Sequence, residues 1–477
     1  MSAPVDLLVV GGGINGVGIA RDAAGRGLKV VLCEQGDLGG ATSSASSKMI
    51  HGGLRYLEHG EFRLVRESLA ERAVLMRMAP HLVRPMRFVL PHRPGLRPRW
   101  LVRAGLFLYD RLGGAGALPA SRAVDLAASA FAAPLAPDVH AGFVYSDCVT
   151  DDARLVIANA RDAAGRGAQI LPRTALVSAQ RDGGTWHAAL SDGREVAARV
   201  LVNAAGPWVE RVQRLAGLRA GAALRLVKGS HIVTRRLYAG DHAYLLQNDD
   251  RRVVFVLPFE DAFTLIGTTE LPLSGDPAAA AISAAEVEYL CRAVGRWFAR
   301  APRPDEVVWS YAGVRPLYED RAASAAAVTR DYVFDLDEAG PPALSVFGGK
   351  LTTFRRLAEH ALGRLRRHLP GMGPAWTAFS ILPGGEAPHG ARAVPPRLAR
   401  TYGSEARHIL AAPPGREFGA GFGEAELRWL VEEEWAQTAE DVLWRRTKLG
   451  LVAPELVGPV SEYLAAAGLR AGQSRDR

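Results

Sequence analysis

The sequence predicts an α/β fold in three parts: a doubly wound domain interrupted along the chain, an antiparallel-sheet domain, and a C-terminal helical domain. Three observations predict it. An apolar run, Val5–Val10, passes directly into a glycine-rich turn and then a helical stretch. From Leu226 the texture changes to short β-rich runs separated by turn residues. Beyond about Pro383 the chain turns helical, with Trp429, Trp435 and Trp444 in a single amphipathic stretch.

The first element carries the clearest signal. The strand ends at Gly11-Gly12-Gly13-Ile14-Asn15-Gly16, a helix is expected over 17–26, Gly27 closes it, and a second strand over 29–32 ends at Glu34. This is a strand–turn–helix–strand unit with G-x-G-x-x-G at Gly11, Gly13 and Gly16. The first glycine permits the tight turn, the second lets a pyrophosphate approach, and the third packs helix on strand. The helix N-terminus offers free N–H groups and the positive end of its dipole. A carboxylate at Glu34 suits a ribose hydroxyl and disfavours a 2′-phosphate. The unit is therefore Rossmann-like and binds a dinucleotide.

The next stretch separates the two common dinucleotides. After the second strand a nicotinamide enzyme usually continues its strand–helix alternation. Here the chain becomes Gly39-Gly40-Ala41-Thr42-Ser43-Ser44-Ala45-Ser46-Ser47, small and hydroxyl-rich, followed at once by Lys48, His51, Gly52, Gly53, Arg55 and Tyr56. A Ser/Gly linker would read similarly at first. The specific residues that follow favour a loop lying against a large fixed cofactor, FAD.

Composition bounds the rest. A chain of 477 residues suggests two to four domains, and 48% hydrophobic with 23% charged residues is that of a soluble globular protein. Cys33, Cys148 and Cys291 are too scattered for a disulfide or metal framework, so no metal and a reducing, cytosolic setting are expected. Neither a signal peptide nor an apolar run of membrane-spanning length is expected. The net charge of +8 admits a solvated surface, an acidic substrate or an anionic membrane. No nucleic-acid module is found, so nucleic acid is excluded.

GGGINGVGIARDAAGRG, ATSSASSKMIHGGLRYLEHGEFRLV and VFGGKLTTFR together resemble the FAD-dependent glycerol-3-phosphate dehydrogenase family in its bacterial aerobic form, over roughly residues 6–451. The resemblance implies oxidation of sn-glycerol 3-phosphate at C2 to dihydroxyacetone phosphate, with electrons passed to a membrane quinone. An oxidase using O2, a related FAD amino-acid oxidase and a catalytically silent flavin protein are the alternatives. It also implies that the VNAAGPW segment, with Ala204 and Gly206, flanks the FAD adenosine and pyrophosphate. The expected FAD-binding domain spans 1–75, 145–215 and 305–360, the substrate or cap domain 76–144 and 216–304, and the helical domain 384–470.

Cofactor contacts are expected from Gly11, Gly13, Ile14, Asn15, Gly16, Glu34, Thr42, Ser43, Ser46, Ser47, Gly52, Gly53, Ala204, Gly206, Gly313, Gly349, Leu351 and Thr352. A flavin oxidation of an alcohol needs a proton acceptor and a grip on the substrate, and a phosphate calls for cations. By resemblance Arg55, Tyr56, Arg315 and Lys350 hold phosphate and hydroxyls, and Arg315 polarises the forming carbonyl. His51 or His231 takes the proton. Lys228, three residues from His231, falls on the opposite strand face. Three features depart from the family pattern: Gly39-Gly40, Glu270 where aspartate is usual, and a shortened 383–402 stretch.

The remaining elements follow by pattern. Helices are expected over 61–78, 151–166, 278–300, 354–369 and 424–448, and a strand over 199–203. The stretch 84–111 interleaves seven arginines with prolines and aromatics; it reads as a solvated loop and surface helix, or as a basic patch resting on anionic lipid. Arg355, Arg356, Arg364, Arg366 and Arg367 form a second basic cluster. A cytoplasmic protein held on the inner face of the cytoplasmic membrane is the expected setting, with a homodimer admitted. Residues 472–477 read as disordered.

Overall fold

A computed structural model describes residues 3–113, 118–219, 224–250, 252–318, 332–387 and 393–466. The stretch 472–477 lies outside them.

The first sheet runs in the order Val333–Asp337, Ala343–Phe347, Glu195–Asn203, Val5–Val10, Val30–Cys33, Gln169–Leu171. All but the outermost pair, Val333–Asp337 with Ala343–Phe347, are parallel along this path. Parallel strands need covered faces. Ile14–Gly25, Asp152–Gly165 and Phe354–Leu365 supply one cover, and Val17, Ile19, Leu155, Leu357 and Leu362 close the core. The other face packs Trp186, Leu201 and Val212.

The second sheet is mostly antiparallel, in the order Leu271–Pro272, Leu224–Arg235, Phe263–Gly267, Val253–Phe259, His242–Gln247, Val83–His92, Ala141–Thr150, Met49–Ile50. Val307–Tyr318 pairs with Leu224 through Thr234 of the strand Leu224–Arg235. His242–Gln247 runs parallel to Val83–His92. The stretches 145–150 and 307–318, read from sequence with the FAD-binding domain, therefore hydrogen-bond into this sheet. Part of the basic 84–111 stretch is likewise a strand inside the sheet and no loop. Only Arg99–Leu112 forms the expected surface helix.

Two helical expectations change. The 278–300 stretch is a shorter helix, Ala284–Gly295, opened by a capping box in which Ser283 and Glu286 satisfy each other's backbone N–H groups. The 424–448 stretch is not one helix. Glu424–Glu432 stops, Trp435 takes a left-handed backbone at φ 57°, and a π-turn, Asp441–Arg446, follows. The break lets the buried Glu434 meet Arg154 of another domain (Nη2–Oε1 2.9 Å). Helical periodicity cannot report such a long-range pair.

Candidate active site

One cavity of about 1790 Å³ runs between the two sheets. It begins at the glycine turn. Gly11 has φ 114°, and a Cβ there would come 2.5 Å from the Ala204 carbonyl oxygen. Gly16 is packed more tightly: its Cβ would lie 1.8 Å from the Gly11 oxygen. Gly16 therefore holds the helix against the turn and does not reach the cavity. Glu34 lines it, but its carboxylate already accepts the Gly12 N–H at 2.6 Å and the Gly36 N–H at 2.8 Å. Burial pushes its pKa upward against those bonds. A carboxylate has lone pairs to spare, so a ribose hydroxyl remains a compatible third partner.

The small-residue stretch crosses from the first sheet to the second. Its first hydroxyl, Thr42, donates to Val314 O at 2.6 Å, and Ser43 Oγ accepts the Ile14 N–H at 3.0 Å. Ser46 donates to Asp152 at 2.7 Å, and Ser47 meets His231 Nε2 at 2.8 Å. The hydroxyls expected to grip the cofactor are thus engaged with protein. They tie the loop in place, and the backbone and small side chains line the cavity. A Cβ on Gly313 would lie 2.8 Å from Ala45 O, so the glycine opens a notch in the strand that the loop occupies. Lys48, which directly follows the small-residue run, is buried on Asp152 (2.7 Å) and donates to Ser44 O at 3.0 Å. It is a strut for the loop.

Strand pairing delivers the next groups. His231 lies opposite Tyr311, Gly229 opposite Gly313, and Val227 opposite Arg315. With a two-residue period, Gly229, His231, Tyr311, Gly313 and Arg315 share one sheet face, and all five line the cavity. Lys228, on the other face, binds Glu286 at 2.8 Å and is absent from the lining. His231 stacks on Tyr311 with centroids 4.8 Å apart. Burial, reinforced by Lys48 and Arg315, lowers its pKa to about 3. Its Nδ1 is buried and unbonded. Arg315 reaches Glu270 at 3.4 Å.

The His51 segment enters from the opposite side. Gly52 does not line the cavity. Its N–H donates to Tyr109 Oη at 2.8 Å, and a Cβ there would strike Leu69 and that hydroxyl. Tyr109 in turn donates to Asp147, whose other partner is Arg72. Burial raises Asp147 to about 6 in spite of Arg72. This clamp behind Gly52 sets the path of His51, whose own N–H donates to Thr352 Oγ1 at 3.2 Å. Burial, then Lys350 and Arg72, lowers His51 to about 4. Lys350 Nζ is buried without a hydrogen-bond partner among the described residues and sits 4.2 Å from the Tyr56 ring centroid. His51, Arg55, Tyr56, His231, Arg315 and Lys350 all line the one cavity. Of the expected cofactor contacts, every residue but Gly16 and Gly52 does as well.

The residues suit a flavin dinucleotide. The glycine turn leaves no room for side chains, and Asn15 Oδ1 and Lys350 Nζ are buried polar atoms without partners in the wall. Residues 6–355 match the family described as FAD dependent oxidoreductase. The fold and the site define an enzyme of that class, with FAD as cofactor.

The narrower placement comes from the whole chain. Residues 350–467 match the family described as the C-terminal domain of alpha-glycerophosphate oxidase. A glycerol-3-phosphate dehydrogenase of Pseudomonas aeruginosa is 51% identical over 495 residues, covering 97% of this chain and 96% of that protein. A D-erythritol 1-phosphate dehydrogenase of Brucella abortus is 50% identical over 471 residues, covering 93% and 94%. The FAD-complexed glycerol-3-phosphate dehydrogenase structure from Bacillus halodurans superposes with a TM-score of 0.72 at 27% identity, covering 97% and 91%. The chain belongs to the FAD-dependent glycerol-3-phosphate dehydrogenase family.

Sequence reasoning missed two groups of residues: Asp147 in this wall with Tyr109 behind it, and a set from the C-terminal domain. Tyr109 and Asp147 come from elements with no motif of their own. Thr438, Glu440, Trp444, Arg445 and Lys448 come from the C-terminal domain, which reads from sequence as having no chemistry. No local pattern marks either group, because each works through partners distant in the chain.

Proposed function

We propose that the protein oxidises sn-glycerol 3-phosphate at C2 to dihydroxyacetone phosphate and passes the electrons to a membrane quinone. The observation that carries the reading is the convergence of Arg55, Arg315 and Lys350 with two histidines on the wall of the FAD cavity. The cations suit a phosphate, and the unbonded Lys350 ammonium has hydrogen bonds to give. Bound FAD supplies the acceptor for the C2 hydride. Arg55, Tyr56 and Lys350 hold phosphate and hydroxyls, and Arg315 polarises the forming carbonyl.

The proton goes to His51. Both histidines are neutral at pH 7 because burial depresses them. His231, however, has Nε2 engaged by Ser47 and Nδ1 buried. Both histidines line the cavity, but His51 adjoins Lys350, and a phosphate bound beside that cation would raise the affinity of His51 for a proton. His231 then positions the Ser47 loop.

The helix Arg99–Leu112 supports a footing on anionic lipid. It exposes Trp100 (72%), Phe107 (51%) and Leu101 (46%) beside Arg99, Arg103 and Arg111. Val102, Ala104, Gly105 and Leu108 of the same helix line an apolar wing of the cavity, a route suited to a quinone. Arg355 does not join a second basic footing: it is buried on Glu71 at 2.5 Å. No helix among the described residues is long and apolar enough to cross a membrane.

The near-equal identity to the erythritol-phosphate enzyme favours a four-carbon polyol phosphate as the second reading. Anaerobic mixing with each substrate tests both: glycerol 3-phosphate bleaches the flavin faster, His51→Gln slows bleaching more than His231→Gln, and an unbleached flavin refutes the reading. Under air, peroxide formed in place of reduced quinone refutes the acceptor.

A further inference from the structure

At the end of the cavity where Glu34 meets the glycine turn, a second domain forms part of the wall. Thr438, Glu440, Trp444, Arg445 and Lys448 line it together with Gln35, Gly36, Asp37 and Arg173. In a Rossmann-like unit this is where the adenosine half of a dinucleotide lies, with its ribose at the acid that ends the second strand.

The two domains join there through buried charges. Asp37 accepts from Arg445 Nε at 2.5 Å and from Arg446 at 2.6 and 2.8 Å. Arg446 is fully buried and also donates to Glu434 O at 2.8 Å. Asp441 accepts both from Arg445 and, at 2.8 and 2.9 Å, from Arg173. Burial opposes its ionisation, but the Gln437 N–H and the surrounding guanidiniums hold its pKa well below the usual carboxylate range. Arg173 is itself bound to the strand end: its N–H donates to Gly36 O at 2.8 Å, and the next residue, Thr174, donates to Glu34 O at 2.7 Å. The π-turn thus grips 34–37 from both sides, through Asp37 and through Arg173. Trp444 packs on Gly450, where a Cβ would lie 2.6 Å from the indole, and so keeps a fixed place in the wall.

Two further ion pairs tie the same domain to the first. Lys448 binds Asp151 at 2.7 Å, and Arg154 binds Glu434, both apart from 34–37.

We propose that the turn Asp441–Arg446 of the C-terminal domain is a clasp that shapes the adenosine end of the FAD site and retains the cofactor. Arg445 and Asp441 are positioning residues: they act on FAD through Asp37, Arg173 and the segment carrying Glu34. Breaking the clasp lets that segment relax and opens a path for release from the adenosine end.

The test is the rate of FAD release from purified holoenzyme, followed by the recovery of free-flavin fluorescence after dilution, for wild type, Arg445→Gln, Arg445→Lys and Arg173→Gln. Melting temperatures are taken in parallel with and without excess FAD. The clasp predicts release about tenfold faster in Arg445→Gln and Arg173→Gln, the loss expected from one charge-assisted hydrogen bond, with partial recovery in Arg445→Lys. It predicts a larger melting shift on FAD addition for the two glutamine variants, because they lose cofactor first. Release within twofold of wild type in both overturns the proposal, even where melting temperature falls. If Arg445→Gln does not fold, Arg173→Gln, whose side chain is 34% exposed, decides alone.

Discussion

Acid should destabilise this protein through His231 by an amount that can be isolated. The ring is buried among Lys48, Arg315 and Tyr311, and its pKa falls from the ordinary 6.5 to about 3. Burial is the main cause; the two cations add to it. In the unfolded chain the same histidine takes up a proton near pH 6.5, so between the two values the unfolded state binds more protons and stability rises with pH. The contribution is complete above pH 6.5 and is lost as pH falls toward 3. Each pKa unit is 1.36 kcal/mol, so the full shift is worth about 5 kcal/mol, and about 2 kcal/mol is lost between pH 7 and pH 5. Gln at position 231 retains a partner for Ser47 and cannot titrate. Chemical denaturation of wild type and His231→Gln at pH 7, 6 and 5 gives the difference of differences, in which the multi-domain background and Asp147, which moves oppositely, cancel. Wild type should lose about 2 kcal/mol more than the variant by pH 5. Parallel profiles would refute the argument that burial beside cations excludes the imidazolium.

Two further substitutions probe the loops that carry the site. Gly52→Ala places a Cβ 2.4 Å from Leu69 Cδ2 and 2.6 Å from Tyr109 Oη. Overpacking of this kind costs about 1–3 kcal/mol; a lower melting temperature with slower anaerobic flavin reduction is expected, and unchanged values of both would show that the clamp does not set His51. Lys48→Met leaves Asp152 buried without its cation. A loss of about 3–5 kcal/mol is expected by chemical denaturation, and a loss under 1 kcal/mol would mean that Ser46 and the helix N–H groups alone hold that carboxylate.

Much of the site was legible because its requirements are local. A pyrophosphate-binding turn needs glycine at fixed offsets, and Gly11 and Gly16 sit where any Cβ would strike backbone. Strand periodicity separated Lys228 from His231, and the structure puts only His231 on the cavity. Other features stayed hidden because their partners are distant in the chain. Thr42 and Ser46 donate to Val314 O and Asp152, Ser47 meets His231, and Ser43 Oγ accepts the Ile14 N–H while keeping its own proton to give; composition reports none of these partners. Arg355 looks like a surface cation on a basic helix, yet Glu71, from a helix early in the chain, draws it inside.

The sequence by itself determined the class of chemistry: a dinucleotide turn, a small-residue loop that must lie close to its neighbours, and cations and histidines adjoining both. Those follow from bond geometry and side-chain volume, which act over a few residues. Only the folded chain sets Ser47 against one ring nitrogen of His231 and buries the other, because those neighbours come from separate parts of the chain. It alone brought Arg445 and Asp441 to the Glu34 end of the cavity, since pairs 408 and 268 residues apart leave no periodic trace in the chain.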